Sequence, residues 1–204
     1  MTTIIDYGLG NIQAIVNVYR RLHIPVSVAK TESDLSSATH LILPGVGSFD
    51  HAMRTFTESG MRETVTNMVF KQNIPVLGIC VGMQMLAQQS DEGDCEGLGW
   101  ISGRVKSLKT IAEKFTVPLP HMGWNDVFPA VGHPLFKGME SESRFYFLHS
   151  YYFECENKKN IAAEVDYGER FTCTVSEGHI FGAQFHPEKS HQFGTQLLKN
   201  FAEL

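Results

Sequence analysis

The sequence predicts an α/β protein whose open, mostly parallel sheet is flanked by helices. Strand-like and helix-like segments alternate through the first ninety residues, as in βαβ units. Glycine-rich turns follow several of these strands, where a chain turns from the sheet into a helix. After Gly97 the segments become short strand candidates separated by turn residues, which predicts additional short antiparallel strands in the C-terminal half. We interpret residues 1–204 as a single domain.

Individual elements follow from local periodicity. In the first part, apolar strands are predicted at 3–6, 25–29, 40–43 and 76–79, and amphipathic helices at 11–22, 48–58 and before Pro75. Another helix is predicted to begin within 83–88. In the second part, strands are predicted at 100–108, 124–128, 144–153, 161–165, 171–175 and 179–184, with a hairpin turn at Glu177-Gly178. A final helix is predicted at about 191–202.

The most informative segment is Gly78-Ile79-Cys80-Val81-Gly82, which follows a buried strand and precedes a helix pattern. Glycines on both sides of a cysteine permit the sharp turn that raises a nucleophile above the carboxyl edge of a sheet. A lone cysteine in an apolar strand is more often an inert core residue. The flanking glycines favour a nucleophile at Cys80.

A second segment supplies a base and an acid. His186 and Glu188 are separated by Pro187, which excludes a helix and favours an extended backbone at His186. Side chains two residues apart then leave the same face, so the carboxylate can orient the imidazole. We predict that Cys80 is the nucleophile, that His186 is the general base and then acid, and that Glu188 orients His186.

A further glycine-rich turn, Pro44-Gly45-Val46-Gly47, should lie at the same sheet edge as Cys80. Its backbone N–H groups, together with that of Val81, are candidates for an oxyanion hole. A plain strand-to-helix turn is the simpler interpretation of this segment by itself. The loop from Asp6 to Asn11 lacks a full GxGxxG motif, so we do not predict a dinucleotide site.

Composition excludes several other functions. The net charge of −5 gives no basic surface for nucleic acid, and no apolar segment approaches the length of a membrane span. The histidines and four cysteines show no metal-ligand spacing, so we expect no metal and no cofactor. Cysteines without disulfide-type spacing are typical of the reducing cytoplasm, which is the expected location.

These motifs resemble the class I, triad-type glutamine amidotransferases. The resemblance rests on the Gly-Ile-Cys-Val-Gly-Met-Gln elbow, the Pro-Gly-Val-Gly loop and the Gln-Phe-His-Pro-Glu-Lys-Ser segment, and it extends over residues 4–201. More narrowly, the segments at 44–49, 120–125 and 147–151 are similar to those of the glutaminase subunits of imidazole glycerol phosphate synthases. The resemblance implies hydrolysis of glutamine to glutamate and ammonia through a thioester at Cys80.

The resemblance also implies binding roles. Gln84 and Glu92 would contact the amino-acid end of glutamine, with backbone contacts from Ser150 and Tyr151. The partner would be a (β/α)8-barrel cyclase in a heterodimer, which receives ammonia for imidazole glycerol phosphate formation in histidine biosynthesis. The positions that match interface residues of the family are Asn11, His121, Trp124, Tyr146 and Lys189.

Three alternatives remain open from the residues. The same glutaminase chemistry could supply a different synthase, such as one that amidinates a surface-polysaccharide sugar. A cysteine peptidase or γ-glutamyl hydrolase would use a similar triad. A non-catalytic binding subunit would be favoured if a triad residue were missing, and all three are present.

Overall fold

A computed structural model describes residues 1–139 and 142–204. Its strands are β1 (Thr2–Ile5), β2 (Val26–Ala29), β3 (His40–Gly45), β4 (Val76–Cys80), β5 (Gln89–Ser90), β6 (Gly103–Ser107), β7 (His121–Pro129), β8 (Arg144–His149), β9 (Tyr151–Cys155), β10 (Ile161–Tyr167), β11 (Glu169–Glu177) and β12 (Ile180–Ala183). Its α-helices are α1 (Ile12–Arg21), α2 (Phe49–Glu58), α3 (Met61–Gln72), α4 (Val81–Gln84), α5 (Lys109–Phe115) and α6 (His191–Ala202).

Nine strands form one large mixed sheet in the order β2-β1-β3-β4-β12-β11-β10-β7-β8. Neighbouring strands from β2 to β12 pair parallel. The strands from β12 to β8 pair antiparallel, beginning with the predicted hairpin in which Glu177 pairs with Ile180. The α/β prediction is confirmed, and its parallel part is the half of the sheet that carries β4.

The predicted strand at 144–153 is two strands in different sheets. β8 belongs to the edge of the large sheet, whereas β9 joins β5 and β6 in a three-stranded sheet. The chain leaves one sheet for the other at Ser150, whose carbonyl accepts the N–H of Leu108. Periodicity cannot detect this break, because both strands continue the same alternating pattern of side chains.

Two helices also differ from the prediction. α4 begins directly after Cys80 and has only four residues, so the chain turns earlier than the predicted start within 83–88. α5 is absent from the predicted elements, because its seven residues are too short to establish a helical period.

One hydrophobic cluster underlies the large sheet. All four residues of β1 and all five of β4 are buried, as expected for parallel strands covered on both faces. The ring of Phe145 on β8 stacks on Phe185 at a centroid distance of 3.9 Å. Tyr19 on α1 donates a hydrogen bond to the carbonyl of Leu198 on α6, 3.0 Å away. Because Ala183 at the end of β12 pairs with Ile79 on β4, the segment after β12 lies beside the end of β4.

Candidate active site

The nucleophile candidate lies on a strained turn. Cys80 ends β4 and immediately precedes α4, with φ of +56° and ψ of −113°. A positive φ is unfavourable for a residue with a Cβ, so the surrounding structure must hold it in place. The predicted elbow is therefore present in the backbone geometry.

Two glycines allow α4 to approach the sheet closely enough to form this elbow. A Cβ at Gly82 would lie 1.9 Å from the carbonyl oxygen of Leu43, and a Cβ at Gly78 would lie 2.5 Å from the carbonyl oxygen of Gly82. No side chain fits at either position. The pattern Gly-x-Cys-x-Gly is thus explained by close backbone contact between α4 and two neighbouring strands, β3 and β4.

The structure brings Cys80, His186 and Glu188 together. His186 Nδ1 lies 2.8 Å from Glu188 Oε1, and His186 borders the same cavity as Cys80, which interacts with it electrostatically. The side chains of His186 and Glu188 are 5% and 1% exposed. Because Glu188 occupies Nδ1, the other ring nitrogen, Nε2, is the one available to Cys80.

Electrostatics within this group favour a charged imidazole. Burial lowers the pKa of His186, but hydrogen bonds and charge attraction from Cys80 and Glu188 outweigh burial and raise it to about 10. Burial raises the pKa of the Glu188 carboxyl, but its hydrogen bond and charge interaction with His186, together with a hydrogen bond from Asn11, hold it below its usual range. A protonated imidazole between two acceptors is suited to donating a proton to a leaving group.

The candidate oxyanion residues line the same cavity as Cys80 and His186. Val46, Gly47 and Val81 border a cavity of about 350 Å³ that also contains Cys80 and His186. Gly47 has φ of +86°, a conformation that glycine adopts without strain. The loop after β3 and the first residue of α4 therefore face one reaction volume, and their role as an oxyanion hole stays a prediction.

The four residues predicted to bind substrate also line this cavity: Gln84, Glu92, Ser150 and Tyr151. Gln84 Nε2 is hydrogen-bonded to Gln184 Oε1 at 3.0 Å and to the Tyr151 carbonyl at 3.4 Å. Glu92 Oε2 accepts the N–H of Phe49 at the start of α2, 2.8 Å away. One polar atom of each side chain is thus bonded within the protein, Nε2 of Gln84 and Oε2 of Glu92. The Oε1 atom of each side chain is left for the cavity.

The residues predicted to lie at the partner interface differ in how far their side chains are exposed. Trp124 is 39% exposed on β7, and Lys189 is exposed and lies over the ring of Tyr146 at 5.9 Å. Asn11 borders the catalytic cavity and contacts Glu188. His121 is only 2% exposed, so its side chain lies beneath the surface rather than on it.

The burial of His121 is explained by its neighbours. Its ring stacks between Phe147 and Tyr167, and its Nδ1 lies 2.8 Å from His149 Nε2. His149 Nδ1 in turn donates to the Tyr151 carbonyl at 2.7 Å. Burial lowers the pKa of His121 to about 4, and it is the main reason why the pKa of His149 falls to about 3. His149 forms part of the cavity wall, and His121 lies behind it in this uncharged pair.

Two residues of the site were missed from sequence. Gln184 is fully buried, and its Nε2 lies 3.8 Å from Cys80 Sγ. Ser190 Oγ donates to the His186 carbonyl and accepts the N–H of Tyr146 at 3.0 Å, which fixes the His186 segment against β8. Both lie in the Gln-Phe-His-Pro-Glu-Lys-Ser segment that carries His186, and their place in that motif was the signal available in the sequence.

The described part of the chain shows no metal cluster, membrane-spanning helix or disulfide. Residues 1–139 and 142–204 contain no group of three or more histidine, cysteine or acidic side chains placed to hold a metal ion. Within the same ranges, no helix is long and apolar enough to cross a membrane. The four cysteines, Cys80, Cys95, Cys155 and Cys173, are all free thiols.

A cysteine on a strand-to-helix elbow, with a histidine and a glutamate beside it, fits the triad-type amidotransferase class that the sequence predicts. In agreement, the family "Glutamine amidotransferase class-I" matches residues 3–204. The chain is 58% identical to "Imidazole glycerol phosphate synthase subunit HisH" of Bdellovibrio bacteriovorus, with 100% of both chains covered. It is 48% identical to the protein of the same name from Leptospira borgpetersenii, again over 100% of both.

The chain therefore belongs to the class I glutamine amidotransferases and, within them, to the HisH family. Solved structures agree on the fold. A structure described as "Crystal structure of glutamine amidotransferase" superposes with a TM-score of 0.77 at 19% identity, covering 99% of this chain and 97% of that one. The structure of PurLQS from Thermotoga maritima gives a TM-score of 0.72 at 14% identity, covering 99% of this chain and 97% of that one. At these identities the likeness concerns the fold alone.

Proposed function

We propose that this chain is the glutaminase component of an imidazole glycerol phosphate synthase, which hydrolyses glutamine and delivers ammonia to a cyclase partner in histidine biosynthesis. The observation that carries the proposal is the Cys80–His186–Glu188 arrangement at the cavity, in a chain 58% identical to a protein named for that synthase. Residues 1–204 would act as one glutaminase domain in the cytoplasm, where free cysteines are stable.

The reaction follows from the positions of the three side chains. Cys80 Sγ attacks the side-chain amide carbon of glutamine, and the developing oxyanion is met by N–H groups of Val46, Gly47 or Val81. Protonated His186 gives its proton to the departing nitrogen, and ammonia leaves. Water then attacks the γ-glutamyl thioester while His186 accepts its proton, and the Cys80 sulfur leaves as thiolate, which yields glutamate and restores the thiolate–imidazolium pair.

Substrate orientation is assigned to the other cavity residues. Glu92 Oε1 would bind the α-ammonium group, because Oε2 is already occupied by the N–H of Phe49. Gln84 would contact substrate through its side-chain oxygen, because its nitrogen is bonded to Gln184. Backbone groups of Ser150 and Tyr151 would complete the contacts at the amino-acid end of glutamine.

A partner is required by the chemistry of the product. Ammonia in water at neutral pH is mostly ammonium, which is a poor nucleophile, so the product must pass to its acceptor through a sheltered route. We propose a (β/α)8-barrel cyclase that docks over the cavity. The alternative acceptor, a surface-polysaccharide sugar, is not favoured, because the relatives from Bdellovibrio and Leptospira are named as imidazole glycerol phosphate synthase subunits.

The decisive experiment measures glutamate release by the purified chain, alone and with its cyclase and that cyclase's nucleotide ligand. We expect strong stimulation by the liganded cyclase. Cys80→Ala should abolish glutamine-dependent synthesis and preserve synthesis from added ammonium salts. Loss of both activities would contradict the division of labour. Absent stimulation with Cys80 still labelled by a glutamine-analogue electrophile would point to another synthase.

A further inference from the structure

We infer that Asn11 is a positioning residue of the triad, whose side-chain amide fixes the carboxylate of Glu188 towards His186. The inference rests on the proposed glutaminase function. It gives the loop between β1 and α1 a role in the chemical step, beyond the docking role that the sequence resemblance implies for Asn11.

Two donors converge on one oxygen of Glu188. Asn11 Nδ2 and His186 Nδ1 each lie 2.8 Å from Glu188 Oε1. The other oxygen, Oε2, is buried and accepts no hydrogen bond from the described residues. Among the described residues, these are the two side chains that donate to the carboxylate, so its orientation depends on both of them. During catalysis His186 alternates between charged and neutral forms, whereas the Asn11 amide is unchanged, so Asn11 is the constant anchor.

The side chain of Asn11 is not used for a helix cap. Asparagine just before a helix usually accepts an N–H of the first turn. Here the Asn11 side chain makes no such bond, and only its carbonyl serves α1 by accepting the N–H of Ile15 at 3.1 Å. The amide instead reaches Glu188, 177 positions along the chain. A purely local role in starting α1 does not explain this geometry.

The backbone that carries Asn11 is held firmly. A Cβ at Gly10 would lie 2.6 Å from Pro44 Cβ, so this loop packs directly on the turn after β3. Tyr7 Oη donates to the Pro44 carbonyl at 2.7 Å. Pro44 precedes Val46 and Gly47 in the turn after β3. The loop between β1 and α1 therefore contacts both Glu188, through Asn11, and the candidate oxyanion segment, through Pro44. Such rigid support is what positioning of a catalytic carboxylate requires.

The test compares Asn11→Ala and the equal-sized Asn11→Asp in complex with the cyclase and its ligand. Loss of a hydrogen bond to a charged group corresponds to a fall in kcat of about tenfold to a hundredfold. KM for glutamine should change by less than about twofold, because Asn11 acts through Glu188 rather than on substrate.

The pH profile separates positioning from general destabilisation. The charged and titratable groups that interact with His186 are Cys80, Glu188 and His149, and Glu92, Tyr151 and Lys189 line the same cavity. In Asn11→Ala the Glu188 carboxylate is less well oriented and the imidazolium is less stabilised, so the alkaline limit of the kcat profile should move to lower pH. Asn11→Asp removes the same donor but adds a carboxylate, which opposes that movement. A merely structural defect would lower activity without moving that limit.

Controls keep the outcomes distinct. Gln13→Ala changes an exposed amide in the first turn of the same helix, bonded only locally to Asn17, and should leave kcat unchanged. Ammonium-dependent synthesis and the dissociation constant for the cyclase report folding and docking.

Unchanged kcat and pH profile in both Asn11 variants would overturn the inference. So would a loss explained entirely by weaker cyclase binding. Inactive wild-type protein would instead refute the glutaminase function itself.

Discussion

At the scale of single residues, the site depends on a charged pair held out of water. His186 is buried yet has a raised pKa, because Cys80 and Glu188 both stabilise its protonated form. Its folded-state pKa of about 10 exceeds the ordinary value of 6.5. The protonated imidazole therefore stabilises the fold fully below about pH 6.5, and this contribution is lost as the pH rises towards 10.

Removal of the thiol should reveal this coupling. In Cys80→Ser the negative partner is lost, so the pKa of His186 should fall from about 10 towards 6.5. NMR titration of histidine ring signals in both proteins measures the change. His179→Gln, at a residue remote from the cavity and bonded to the Val69 carbonyl, assists assignment without altering the pair. Equal midpoints for His186 in wild type and Cys80→Ser would contradict the charge coupling.

Asp50 provides a second test at this scale, because it fixes the loop that carries Glu92. Its carboxylate accepts the N–H groups of Asp94 at 3.2 Å and Cys95 at 3.0 Å. Asp50→Ala frees this loop, so KM for glutamine should rise about tenfold while kcat changes little. Steady-state glutaminase kinetics measure both. Arg54→Ala, which removes the exposed ion pair with Asp50 but keeps the Asp50 carboxylate that accepts the N–H groups of the loop, is the control, and an equal rise in KM there would refute the assignment.

At the scale of elements, the contact between α4 and β3 determines whether the elbow exists. In Gly82→Ala the new methyl group would meet the Leu43 carbonyl at 1.9 Å, and neither backbone can give way cheaply. We expect the free energy of unfolding to fall by about 3 kcal/mol or more, with loss of Cys80 labelling.

Urea unfolding measures this loss. Gly132→Ala is the control, because Gly132 has open space around it; unlike Gly82, it has a positive φ of +73°. Its cost should be only about 1 kcal/mol, from the left-handed backbone. If the two substitutions had equal effects, close packing of α4 would not be the reason for glycine at 82.

At the scale of the whole molecule, the antiparallel half of the sheet presents an apolar face beside the cavity. Met122 is 61% exposed on β7, and Trp124 and Leu148 are each 39% exposed. Exposed large apolar side chains grouped on one face are typical of interaction surfaces. Their position next to the cavity agrees with the proposed docking of a cyclase.

Trp124→Ala should therefore weaken cyclase binding by about tenfold or more, because buried tryptophans are frequent anchors of interfaces. Calorimetry or analytical ultracentrifugation gives the dissociation constant. Labelling of Cys80 in the free chain should be unchanged. Phe70→Ala removes a comparably exposed aromatic from α3 and should not affect binding. Equal weakening by both would place the interface elsewhere.

The sequence alone determined the parallel half of the fold and the three triad candidates. Apolar strands, glycine turns and the spacing of His186 and Glu188 are local signals, so they can be interpreted without tertiary structure. The chain passes from the large sheet to the small one at Ser150, and α4 ends after four residues. Both features depend on which strands become neighbours, and no local sequence pattern encodes the neighbours of a strand.

Only the tertiary structure decided which distant polar groups meet. It placed Gln184 against Cys80 and buried His121 within an aromatic stack. It also directed Asn11 to Glu188. Partners this far apart in sequence are selected by the packing of strands and loops, because a buried polar atom must find its hydrogen bond wherever folding brings a complementary group.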